Sequence, residues 1–145
     1  MTEAFTNNRV ILYYNGAISA LTLFVQHANG SVCGPSPLPL LSSALEPEEA
    51  AHDVVSAHPA SVAQAAGTAL DLPVHLLKAE AGYREQIETP GGIITVYLAR
   101  FDLLDPPHRL VESKGGRLRT LTELRSQPPA EMELLRRAYA YIMES

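Results

Sequence analysis

Ile93 to Phe101 (IITVYLARF) is the stretch on which the fold turns. It is β-branched and aromatic, and its apolar residues follow one another instead of alternating with polar ones. A strand with one wet face alternates, whereas a strand covered on both faces does not. The run therefore predicts a central strand, buried above and below. Immediately before it, Pro90-Gly91-Gly92 is a turn signal. Before that, Val74 to Glu88 ends in an alternating pattern (Tyr83, Glu85, Ile87), and at least its second half reads as a strand. Tyr83 to Glu88 and Ile93 to Phe101 thus predict a hairpin.

Working outward, Arg9 to Tyr14 (RVILYY) and Ser19 to His27 (SALTLFVQH) read as two more strands. Asn15-Gly16, a strong tight-turn dipeptide, makes them a second hairpin, and Asn29-Gly30 closes its far end. Pro35, Pro37 and Pro39 fix φ and remove backbone donors, so Gly34 to Leu41 predicts an extended loop or edge segment. Glu46-Pro47-Glu48-Glu49 has proline and acids where a helix begins, and predicts a helix to about Ala57. His58-Pro59 interrupts it. Ala60 to Leu70 is alanine-rich and helical, weakened at Gly67 by about 1 kcal/mol relative to alanine. Asp105-Pro106-Pro107 breaks the chain, Lys114-Gly115-Gly116 turns it, and Arg117 to Leu121 is a short strand. Thr122 to Arg125 suits one helical turn. Pro128-Pro129 opens a last helix, with Met132, Leu135, Tyr139 and Ile142 at helical spacing as its expected buried face. The order of elements predicts one α/β domain over residues 1–145, an α+β sandwich with a mixed sheet flanked by helices.

Composition narrows the function classes. At 145 residues the chain suits one domain with a real core. Hydrophobic residues make up 46% and charged residues 19%, which is globular composition rather than disordered. A formal net charge of −5 argues against nucleic acid as the main partner, since a phosphate backbone calls for surplus Lys and Arg. Cys33 is the single cysteine, so no disulfide forms within the chain, which suits a reducing compartment. Met1 to Asn8 lacks a signal pattern, and the apolar run from Ala17 to Val25 is far short of the ~20 residues that span a bilayer. The expectation is a bacterial or archaeal cytoplasmic protein that does not enter membranes.

Two stretches carry a resemblance. Ser61 to Leu77 (SVAQAAGTALDLPVHLL) looks like the end of the Nudix helix and the strand after it. The strand at Ile93 to Phe101, followed by Arg117 to Met143 with its GGRLRTLTEL lead-in and proline-started helix, looks like the C-terminal half of many Nudix proteins. The order of elements is similar to the Nudix hydrolase fold over most of the chain. The resemblance implies a mixed sheet flanked by helices. In that family, clustered glutamates in an Arg-Glu-apolar-any-Glu-Glu-any-Gly run hold divalent metals that activate water against a diphosphate. Here the arginine position is Gln64, and the clustered glutamate positions are Ala65, Thr68 and Ala69. The upstream glutamate and glycine positions are Ser56 and Ala50. Hard cations such as Mg²⁺ need oxygen ligands, and alanine supplies none. The resemblance therefore implies a degenerate member without the Nudix box, with no catalytic residue carried over and no Mg²⁺ or other cofactor expected.

Other constellations have both a chemical and a structural reading. Glu48 with His52, and Glu49 with Asp53, are four apart on one expected helix face. They could ligate a metal or simply be a solvated first turn. Cys33 could be a nucleophile if His27 were its base, but a small buried residue is the simpler reading. His27, His52, His58, His75 and His108 lack zinc-like paired spacing. Pro90-Gly91-Gly92 and Lys114-Gly115-Gly116 precede strands and suit hairpin turns better than phosphate cradles. Arg84 and Arg100, with Tyr83 and Tyr97 across one hairpin, could contact a small anionic or nucleotide-like ligand, since guanidinium binds phosphate or carboxylate in a bidentate fashion. Arg109, Arg117 and Arg119 add positive charge in the same half of the chain.

The functional expectation is a ligand-binding or protein-interaction module that is not a metal-dependent pyrophosphohydrolase. Two alternatives are kept: a hydrolase acting on a nucleoside-diphosphate-type substrate through non-standard residues, and a structural subunit of a homo-oligomer such as a homodimer.

Overall fold

A computed structural model describes residues 7–16, 21–49 and 58–144. At its centre the Ile93 run lies within β6 (Gly92–Phe101), parallel to β1 (Asn8–Asn15), with Asn8 opposite Thr95 and Tyr13 opposite Arg100. Along β6, Val96 and Leu98 face one side and Tyr97, Ala99 and Phe101 the other. None of the five is more than 1% exposed, so both faces are covered as the unbroken apolar run predicts. β5 (Leu77–Thr89) pairs antiparallel with β6 as a hairpin, with a register shift between Ala79 and Arg84. Gly92 closes its turn at φ +125°, a conformation that side-chain-bearing residues rarely adopt.

β1 also pairs antiparallel with β2 (Thr22–Gln26), which forms the predicted N-terminal hairpin. Ser19 and Ala20, expected in that strand, lie outside the described residues. From β2 the chain turns at Gly30 (φ +91°) and returns as β3 (Cys33–Gly34) against Val10 and Ile11 of β1. β4 (Ser43–Ala44) edges β5, and β7 (Arg117–Arg119) edges β2. The strand order is β4-β5-β6-β1-β2-β7, a mixed sheet of α+β class.

Helices cover both faces. α1 (Pro59–Ala69) packs Val62, Ala63 and Ala66 onto the side of Val10, Leu12 and Phe101, and α2 (His108–Ser113) adds Val111 there. α1 begins as His58-Pro59 suggests: His58 Nδ1 accepts from the Ala60 amide at 3.1 Å, and Pro59 takes the first turn, where an amide would have no partner. It ends where Asp71 turns left-handed (φ 55°) and the Leu72 amide donates to the Gly67 carbonyl at 2.7 Å. The expected Glu46–Ala57 helix is described only as a single turn at Pro47–Glu49, the rest lying outside the described residues.

α3 (Pro129–Glu144) covers the opposite face. Its start is as predicted, but its buried stripe is rotated. Leu135 and Ile142 are buried as expected, together with Ala130, Glu131, Leu134 and Ala138. Tyr139 is 36% exposed and Met132 only half-buried. Small Ala130 and Ala138 occupy the buried stripe, and the bulkier Tyr139 lies at the rim. Among the described residues, no helix is long and apolar enough to cross a membrane.

Candidate functional site

The α1 and α2 side of the sheet is not fully closed. Just past the end of β2 at His27, just past the end of α1 at Leu70 and Leu72, and where β6 ends in Phe101, a cavity of about 280 Å³ opens. Its floor is carbon: Leu12, Val25 and Phe101, from three adjacent strands, are each at most 4% exposed. α2 contributes Val111, and the turn after it contributes Lys114 and Gly116. Gly116 fits because a Cβ there would come within 2.8 Å of the Gln26 carbonyl. His27, Ala28, Asn29 and Pro35 form the wall nearest the β2–β3 turn. Size and lining are those of a small, mostly apolar binding site, at the low end of the ~300–1,000 Å³ usual for ligand pockets.

His27 holds that wall through an unusual contact. Its ring lies against Gly34, so close that a Cβ at position 34 would be 2.8 Å from Nε2. Nε2 is buried without a hydrogen-bond partner. Burial lowers the His27 pKa, and the negative charge of Glu131 offsets this only in part, so the ring is neutral near pH 7. Lys114 is the one charged side chain among the cavity's described walls. Its Nζ is 3.1 Å from Asp71 Oδ2, and the Asp71 side chain is 95% exposed.

Behind the turn, Glu131 is 4% exposed in the first turn of α3. It accepts from Ser31 Oγ (2.7 Å), the Val32 amide (3.2 Å) and Gln127 Nε2 (2.7 Å). The helix terminus favours the negative charge and these donors satisfy it. Its role is to clamp the β2–β3 turn to α3. Cys33 is wholly buried, and desolvation pushes its thiol well above the usual range, so it behaves as a small core residue.

The structure divides the tyrosine and arginine set. Arg84 stacks over the Tyr97 ring at 5.7 Å on the α1 side. Tyr83 lies on the α3 side and donates to the Leu134 carbonyl at 2.9 Å. Arg100 is held by Glu80 (3.6 Å) and Asp102 (3.4 Å), and Glu80 also accepts from Tyr13 Oη at 2.5 Å. The hairpin forms, but its four residues do not converge on one ligand, and Arg100 already faces two carboxylates. Glu48 and Glu49 are exposed in the Pro47–Glu49 turn, while His52 and Asp53 lie outside the described residues. Among the described residues, no group of three or more His, Cys, Asp or Glu could hold a metal.

No protein-family model matches the chain, and no curated protein matches it.

Proposed function

We propose that this protein is a non-catalytic binding module, acting in the cytoplasm, that takes a small molecule into the cavity between α1, α2 and the sheet. The observation that carries the reading is the cavity: an apolar floor from β1, β2 and β6, with a few polar groups confined to its rim. A degenerate Nudix-like ancestry fits the same picture. The mixed sheet lies between helices, and α1 reads PASVAQAAGTA with no carboxylate along its length. Its Thr68 and Ala69 are exposed and Ala65 is half-buried, so a hydroxyl and two methyls stand where a diphosphate hydrolase would present metal ligands. A fragment screen by protein-observed NMR tests the binding reading. Saturable shifts are expected at the methyls of Leu12, Val25 and Val111, and Ala28→Trp, placed on the exposed rim, should abolish them. Absence of any saturable binder, or binding indifferent to Ala28→Trp, would refute it.

A protein-interaction reading is favoured by a separate observation. Leu40 and Leu41 are 89% and 83% exposed at the tip of the proline-rich loop, and Leu41 is held at φ 64°. Adjacent exposed leucines suit a contact with another chain, a second copy being the simplest. Sedimentation velocity over a wide concentration range tests it. A dimer that dissociates in the Leu40→Ser, Leu41→Asn variant supports this reading, and a monomer throughout ends it.

A further inference from the structure

Resting on the small-molecule reading, we propose that the cavity selects an amphipathic carboxylate: one ring or short branched chain on the Leu12, Val25 and Phe101 floor, with its carboxylate on Lys114. The floor can recognise only carbon. The cavity of about 280 Å³ encloses one ring with a short head and leaves the remainder of a larger molecule outside. The rim supplies the charge selectivity. Lys114 is the sole charged wall residue among those described, and its Nζ, 3.1 Å from the exposed Asp71 carboxylate, reaches the solvent side. Its present partner does not compete strongly. The Asp71 carboxylate is 95% exposed, so water readily replaces its partner, and exposed ion pairs are weak. A carboxylate arriving on an apolar body is held beside Lys114 by that body, in a less hydrated setting where the same charge interaction is stronger. Neutral His27 adds no competing positive charge to the cavity wall.

The test titrates the full-length protein with 3-phenylpropionate and 4-methylpentanoate, and with their primary amides, by NMR and calorimetry. The carboxylates should bind about tenfold more tightly than the amides, as expected for a hydrogen bond to a charged group. Lys114→Met should bring the acids and the amides to parity. Asp71→Asn, which removes the competitor without touching the cavity, should tighten the carboxylates. If acids and amides bind alike and Ala28→Trp abolishes both, the cavity reading stands and the charge selectivity is wrong. If none of the compounds shifts the cavity methyls, both fail.

Discussion

Replacing Gly34 with alanine probes the contact that shapes the cavity wall. The new Cβ would stand 2.8 Å from His27 Nε2 and 3.0 Å from Cε1, against the ~3.5–4.0 Å of an ordinary carbon contact. Either the ring or β3 must give by roughly 0.5–1 Å. Gly34 lies outside the left-handed region, so its backbone accepts alanine, and alanine's loss of unfolded-state freedom favours folding by about 0.4–1 kcal/mol. Overpacking costs about 1–3 kcal/mol, and the imidazole is a rigid ring that also lines the cavity. The net expectation is a loss of about 1–2 kcal/mol, with the ring displaced toward the cavity. In a His27→Ala background the obstacle is gone, so Gly34→Ala should there be neutral or slightly stabilising. Equilibrium urea unfolding of the four proteins in the cycle measures the coupling directly. An unchanged midpoint for Gly34→Ala, or the same loss with and without His27, would refute the reasoning.

Three further outcomes are expected. Because burial depresses the His27 pKa, the unfolded chain takes up more protons below about pH 6.5, so folded stability falls as pH drops through that value. The wild type should lose stability relative to His27→Phe by at most about 1.4 kcal/mol per pH unit there, and parallel pH profiles of the two would count against it. Glu131→Ala strands Ser31 Oγ, the buried Val32 amide and Gln127, and should cost about 2–4 kcal/mol by urea denaturation, well beyond a surface acid such as Glu144. Leu135→Ala should cost about 2–5 kcal/mol and Tyr139→Ala under about 1.5 kcal/mol, since the first is fully buried and the second lies at the rim; equal losses would contradict the orientation of α3.

Much of this fold is legible because its signals are local. The unbroken apolarity of Ile93 to Phe101 places β6 centrally, and Pro90-Gly91-Gly92 sets its hairpin with β5; Asn15, expected in the turn of the other hairpin, is instead paired with Thr22 in the β1–β2 ladder. His58-Pro59 and Pro129 start helices through chemistry confined to a few residues. α2 escaped notice because six residues after a proline pair are too few to show a period. Large apolar spacing alone misses the face of α3, because small Ala130 and Ala138 share its buried stripe and Tyr139 does not. Glu131 reads as a solvated helix-start acid, and its partners Ser31 and Val32 are 100 and 99 positions away.

The site was less legible for the same reason. Its walls come from β1, β2 and the turn after it, the segment that follows α1, β6, and α2 with the turn after it, which nothing in one chain's pattern links. One division within the tyrosine and arginine set is legible in the sequence. Tyr97 and Arg100 are three apart on a strand, and side chains alternate faces, so they could never share a ligand-facing side. Tyr83 and Arg84, being adjacent, are divided by the same rule.

The central claim is that the cavity beside His27 binds a small amphipathic ligand, and methyl NMR on titration with 3-phenylpropionate tests it most directly. The account predicts saturable shifts at Leu12, Val25, Leu72 and Val111, none at Leu134 and Leu135 on the α3 face, and loss of the effect in Ala28→Trp. Shifts confined to the α3 face, or no saturable shift at any concentration, would contradict it.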